Sequence, residues 1–131
     1  MLTTASLTSP LASVLNGSGG TISADQSAAI GVAGQLSLIN EGTIEGHVSG
    51  GGGYTIEIVG FWNDEITNNG VIIGDVHLGA GSDSHLGTGS VTGIAYGGRG
   101  RDNLVGSDNN DRLHGDEGND FLEGGGGNDI A

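Results

Sequence analysis

Four aspartates recur every nine residues toward the end of this 131-residue chain: Asp102, Asp111, Asp120 and Asp129. Gly97, Gly106, Gly115 and Gly124 keep the same interval, and Leu104, Leu113 and Leu122 stand two positions after the first three aspartates. Carboxylates are hard oxygen ligands. Calcium collects about six to eight such oxygens at roughly 2.3–2.6 Å in flexible geometry, whereas magnesium demands a stricter octahedron and keeps its waters. Aspartates delivered at a fixed interval by glycine-rich turns, whose carbonyls are ligands of the same kind, therefore predict cation sites suited to calcium.

Placing these carboxylates requires a repeating backbone. Each six-residue stretch that ends in an aspartate reads as a tight turn, because glycine allows the positive φ values such a turn needs. Where glycine is replaced, Asn109 and Asp116 tolerate left-handed geometry, and Ser107 fits less well. The three residues that follow are long enough only for a short strand, with the leucine inward and its neighbours outward.

Written in nines from Gly97, the segment reads GGRGRDNLV, GSDNNDRLH, GDEGNDFLE and GGGGNDIA. It resembles the repeat-in-toxin (RTX) nonapeptide GGxGxDxUx, in which U is a large aliphatic residue. The resemblance implies a calcium-binding parallel β-roll, with two nonapeptides in each coil of about 18 residues. Coils stack roughly 4.8 Å apart, which sets Asp102 beside Asp120 and, on the opposite side, Asp111 beside Asp129. Two carboxylates about 5 Å apart repel by roughly 3 kcal/mol at an effective dielectric of about 20, and a dication between them turns repulsion into attraction. The implied metal set is these four aspartates with the turn residues Gly97, Arg99, Gly100, Gly106, Asp108, Gly115, Glu117, Gly118, Gly124, Gly126 and Gly127. The alternative is a disordered acidic linker, but composition alone does not keep aspartate and leucine in phase over four units. The two readings partly coincide, since so acidic and weakly apolar a tail is not expected to hold a fold without metal.

The rest of the composition narrows the classes. Sixteen acidic residues stand against three arginines and no lysine, a net charge of −13. A chain so charged lacks the basic surface that phosphate contacts need, and anionic membranes would repel it. Neither nucleic acid nor a membrane is an expected partner; calcium ions are, with a cell-surface or glycan partner as a further possibility. Twenty-nine glycines, one proline and five aromatic residues argue against a large core and for repeated turns. With no cysteine, disulfides and thiolate sites are excluded. The N-terminal stretch MLTTASLTSPLASVLNGSGG has no positive region and no long apolar run, so it does not read as a signal peptide, and no later stretch is long enough to span a membrane. The resemblance implies type I export, which reads an uncleaved C-terminal signal. The chain ends one residue short of a complete fourth repeat without one, as a fragment of a longer protein would.

Three segments are expected: 1–20 as an N-terminal cap or disordered segment, 21–96 as an irregular β-helix-like region, and 97–131 as the roll. A short helix over about Thr8 to Leu15 is one option for the first. In the second, Thr21-Ile22-Ser23, Gln35 to Ile39, Thr43-Ile44-Glu45, Tyr54 to Val59 and Val71-Ile72-Ile73 read as strands. Asn40 to Val48 matches Asn68 to Val76 at an offset of 28, in both glycines, the central isoleucine and the final valine. Asn-x-Gly, then a strand, then glycine looks like one rung of a parallel β-helix. A small antiparallel sandwich is the alternative. Gly50 to Gly53 reads as a loop, Tyr54, Ile56 and Ile58 as one strand face, and Phe61 and Trp62 as core or capping residues, with a sugar platform as the functional alternative. In Leu78-Gly79-Ala80-Gly81-Ser82-Asp83, glycines and aspartate hold motif positions, so Asp83 is a further candidate ligand. It lies nineteen residues before Asp102, and one bulged residue would place it in the same stack.

Catalytic patterns are absent. His47, His77, His85 and His114 have no ligand spacing, no HExxH occurs, and Asp75, His77 and Ser82 lack a nucleophile elbow. The acidic pairs Asp64-Glu65 and Asp116-Glu117 read as solvated surface. The glycine-rich turns carry no P-loop lysine. The expected fold class is all-β, a right-handed parallel β-solenoid whose β-helix rungs run into the roll. The expected function is a secreted, non-enzymatic calcium-binding module. An adhesin segment and an accessory module of an exported enzyme are the alternatives.

Overall fold

The computed structural model describes residues 5–7, 11–24, 28–46 and 55–131. The readings of His47, Val48, Gly50 to Gly53 and Tyr54 lie outside them. Seventeen strands occur among the described residues: β1 (Ala5–Leu7), β2 (Leu11–Asn16), β3 (Thr21–Ala24), β4 (Ile30–Val32), β5 (Gln35–Asn40), β6 (Thr43–Gly46), β7 (Ile56–Ile58), β8 (Glu65–Asn68), β9 (Val71–Ile73), β10 (Val76–His77), β11 (Ala80–Gly81), β12 (Ser84–Leu86), β13 (Ser90–Val91), β14 (Ala95–Gly100), β15 (Asn103–Val105), β16 (Leu113–Gly118) and β17 (Phe121–Glu123). No helix occurs among them, so none is long and apolar enough to cross a membrane. The short helix expected around 8–15 is not formed over its described part, where Leu11–Asn16 pairs in register with Gln35–Asn40.

Every strand pairing is parallel, which excludes the antiparallel sandwich. The chain is a parallel β-solenoid of about five turns. One sheet runs β2-β5-β8-β12-β15-β17, a second β1-β4-β7-β10-β14 with β11 and β16 also on β14, and a third β3-β6-β9-β13. Strands this short form because single apolar residues alternate with polar ones between Asn/Gly corners. Successive rungs then align like residues inside. Ile22, Ile44, Ile72 and Val91 stack along the third sheet, and Leu38, Ile66, His85, Leu104 and Leu122 along the first. Most of these side chains are fully buried.

The 28-residue sequence repeat is one rung: Asn40 pairs with Asn68 and Ile44 with Ile72. Its asparagines are buried and hydrogen-bond in a ladder, Asn16 Nδ2 to Asn40 Oδ1 and Asn40 Nδ2 to Asn68 Oδ1, each at 2.8 Å. Later rungs shorten. Nineteen residues separate Ile66 from His85 and His85 from Leu104, and eighteen separate Leu104 from Leu122. The third sheet ends at β13, so the cross-section passes from three sheets to two while the first two continue without a break. Few inward apolar residues then remain. Leu104 and Leu113 are buried, Leu122 is half-buried, and Phe121 and Ile130 are exposed.

Candidate metal centre

The register places the four periodic aspartates as their spacing requires. Asn103 pairs with Phe121, and Asp102 donates its N–H to Asp120 Oδ1 at 3.0 Å. On the other edge Arg112 bridges Ile130, and Asp111 donates its N–H to Asp129 Oδ1 at 2.9 Å. Asp83 joins the first stack despite its nineteen-residue offset, with its N–H on Asp102 Oδ1 at 2.9 Å. Asp102, Asp120 and Asp129 thus each use one oxygen to fasten the preceding turn.

The glycines are explained by where that carboxylate lies. It folds back over the first residue of its own turn, so a Cβ at Gly97 would sit 2.6 Å from Asp102 Oδ2, and one at Gly106 would sit 2.8 Å from Asp111 Oδ2. Gly115 and Gly124 are crowded in the same way by Asp120 and Asp129. At the second and fourth positions, carbonyls of the preceding turn press on the backbone. Gly98 meets the Gly79 carbonyl, Gly100 that of Gly81, Gly118 that of Gly100, and Gly127 that of Asn109. Such carbonyl-lined turns supply hard oxygen from the main chain as well as from aspartate.

Substituted positions behave less uniformly than expected. Asp116 has a φ of 66°, the left-handed geometry its residue type tolerates. Asn109 does not take a positive φ. Ser107 acts through its hydroxyl instead: its N–H and Oγ donate to Asp111 Oδ2 at 2.7 and 3.0 Å, and Asn109 donates to Ser107 Oγ. Arg99 and Glu117 face outward as an exposed ion pair at 3.1 Å, so only their backbone borders the turns. Asp108 is exposed and lies under Gly126, where a Cβ would come 3.1 Å from its Oδ1.

Two observations fit a cation. Asp83 Oδ2 and Asp102 Oδ2 are buried with no hydrogen-bond partner, and a buried carboxylate oxygen without donor or counter-charge is costly. The electrostatics agree. Burial pushes the Asp83 carboxyl up to about 7, against the N–H of Asp64, and the Asp64 and Asp102 carboxylates add to the rise. Burial also raises Asp102, with Asp120 and Asp116 adding to it, and takes Asp64 to about 6. A bound dication reverses this preference for the protonated form. Among the described residues no group of three or more His, Cys, Asp or Glu side chains converges. A cation here would be held by aspartates in pairs and by carbonyls, a donor set that suits calcium and not zinc.

Two sequence readings are corrected. Asp64 is buried at 3% exposure, not solvated, and its adjacency to Glu65 obscured this because strand neighbours face opposite ways. Phe61 and Trp62 are 85% and 48% exposed, so neither is core. His77 and His114 flank Tyr96 on successive rungs, with ring centroids 5.9 and 5.7 Å away. His77, His114, Phe61 and Glu57 line an open groove of about 870 Å³.

Residues 96–131 match the family model of the RTX calcium-binding nonapeptide repeat, in four copies. Comparison with curated proteins and with solved structures gave no match. The matched segment begins one residue before Gly97 and excludes Asp64 and Asp83.

Proposed function

We propose that this chain, which carries four RTX calcium-binding repeats, is a non-enzymatic structural module of a secreted protein that folds when calcium binds. The observation that carries the reading is the aspartate ladder with buried, unpartnered oxygens at Asp83 and Asp102. Without calcium, the stacked carboxylates repel one another across a thin core. At low intracellular calcium the roll stays open, a form suited to passage through a type I exporter. Outside the cell, calcium near millimolar occupies sites of the weak extracellular class, with Kd about 10⁻⁴–10⁻³ M. Each occupied site stabilises the fold by mass action, because the unfolded chain cannot assemble the ligands. Far-ultraviolet circular dichroism during a calcium titration tests this. Strand signal that rises with calcium and falls with chelator supports it, and a signal indifferent to both refutes it.

A second reading, a surface-attachment segment whose flank binds a partner, is favoured by one feature. The groove beside Tyr96 is lined by aromatic rings and carboxylates and is bordered by exposed Phe61. Rings of this kind form platforms for sugars as well as for apolar ligands. Glycan-array binding that requires Phe61 supports it; binding that is absent, or unchanged in Phe61→Ala, removes it.

A further inference from the structure

We propose that the stack of calcium-holding turns begins before the matched repeats, with one further calcium site between the turn 59–64 and the turn 78–83, held by Asp64, Asp83 and the main-chain carbonyl of Trp62. The inference rests on the module reading above and extends it to a segment whose sequence does not match the repeat. In Val59-Gly60-Phe61-Trp62-Asn63-Asp64, only the second and sixth positions keep the motif residues.

The backbone nevertheless repeats the geometry of the matched turns. Asp64 donates its N–H to Asp83 Oδ1 at 2.8 Å, as Asp83 does to Asp102 Oδ1 at 2.9 Å and Asp102 to Asp120 Oδ1 at 3.0 Å. At the fifth position, Ser82 donates its N–H to Asn63 Oδ1 at 2.8 Å, and Asn128 donates to Asn110 Oδ1 at the same distance. At the fourth position, a Cβ on Gly81 would strike the Trp62 carbonyl, as one on Gly100 would strike that of Gly81. The turn therefore brings the same oxygen types to the same places.

A stack of acidic residues alone would not require an ion. Here an independent observation does. Asp83 is 2% exposed, and its Oδ2 has no hydrogen-bond donor among the described residues. Its Oδ1 is already committed to Asp64, and a cation lodged among the turns supplies the partner that the free oxygen lacks at neutral pH. The carbonyl contribution and irregular spacing favour calcium over magnesium.

Trp62 is the only tryptophan of the chain and belongs to the turn itself, so terbium, which occupies calcium sites and is excited through a nearby indole, reports on this site. In the full chain, terbium emission sensitised by Trp62 is expected, displaced by calcium. Asp64→Asn is expected to abolish that emission and to bind one ion fewer by native mass spectrometry. Asp129→Asn, on the opposite edge, is expected to lose an ion yet retain Trp62-sensitised emission. Gly81→Ala, which sets a methyl against the Trp62 carbonyl, is the second variant should Asp64→Asn not fold, and the same losses are expected of it. Unchanged emission and ion count in the folded variants overturn the proposal while leaving the repeats as calcium sites. Absence of ion binding in the unaltered chain overturns the module reading itself.

Discussion

Replacing Asp102 by asparagine is predicted to change the sign of its effect on stability with calcium. Asp102 stands between Asp83 and Asp120 in one ladder, bonded to both through N–H and carboxylate. Asparagine keeps an oxygen to accept the Asp83 N–H and removes one negative charge. In chelator the variant loses repulsion from two neighbours one rung away, each at most about 3 kcal/mol at an effective dielectric of about 20 and less where water screens it. Unchanged or raised stability is expected. In calcium the variant loses a ligand of the turns on either side. At a concentration tenfold to a hundredfold above Kd, one occupied site contributes about 1.4–2.7 kcal/mol, so two weakened sites cost about 3–5 kcal/mol. Thermal unfolding followed at the strand signal, in calcium and in chelator, reads both arms. A destabilisation of the same size in both would show that Asp102 serves the fold through hydrogen bonds alone and would refute the reasoning.

Further consequences follow from the same geometry. Burial holds the Asp83 carboxyl near 7 and the Asp64 carboxyl near 6 in the metal-free fold, against an ordinary 3.8. The folded state then binds more protons than the unfolded one between roughly pH 4 and 7, so metal-free stability falls as pH rises through that window. Calcium binding near neutrality accordingly releases protons, which calorimetry in buffers of different ionisation heat detects. His85 sits at an inward position between Ile66 and Leu104 with neither ring nitrogen hydrogen-bonded. His85→Leu is expected to stabilise by about 1–3 kcal/mol, measured by denaturant unfolding in calcium. Asn40→Ala breaks the ladder between Asn16 and Asn68 and is expected to cost about 1–3 kcal/mol for the buried groups it strands, by the same measurement.

The roll was legible in the sequence because its chemistry imposes a strict period. An aspartate every nine residues, a glycine beneath each carboxylate and an inward leucine leave little freedom, and Asp102/Asp120 and Asp111/Asp129 pair as that period requires. The Asn-x-Gly rung at offset 28 was legible for a similar reason, since stacked Asn40 and Asn68 each need the other's amide. Legibility failed where one rung geometry is met by different residues. Asp64 closes a turn that holds Phe61 and Trp62 where the repeat holds other residues, so composition hid it, although its nineteen-residue offset from Asp83 repeats that of Asp83 from Asp102 and was the signal that could have found it. Strands β2, β4 and β8 escaped notice because an isolated three- to six-residue strand acquires its definition from the rungs above and below it. His85 was unreadable as a core residue because the stack accepts its volume while leaving its nitrogens unpaired.

The account stands or falls on whether a divalent ion lies between the stacked turns. Crystals grown in calcium, with a matched crystal in terbium for anomalous scattering, locate such ions directly. The account predicts anomalous peaks between the turns that end in Asp102 and Asp120 and between those that end in Asp111 and Asp129. Turns that stack as described but hold no peak at saturating ion would contradict it.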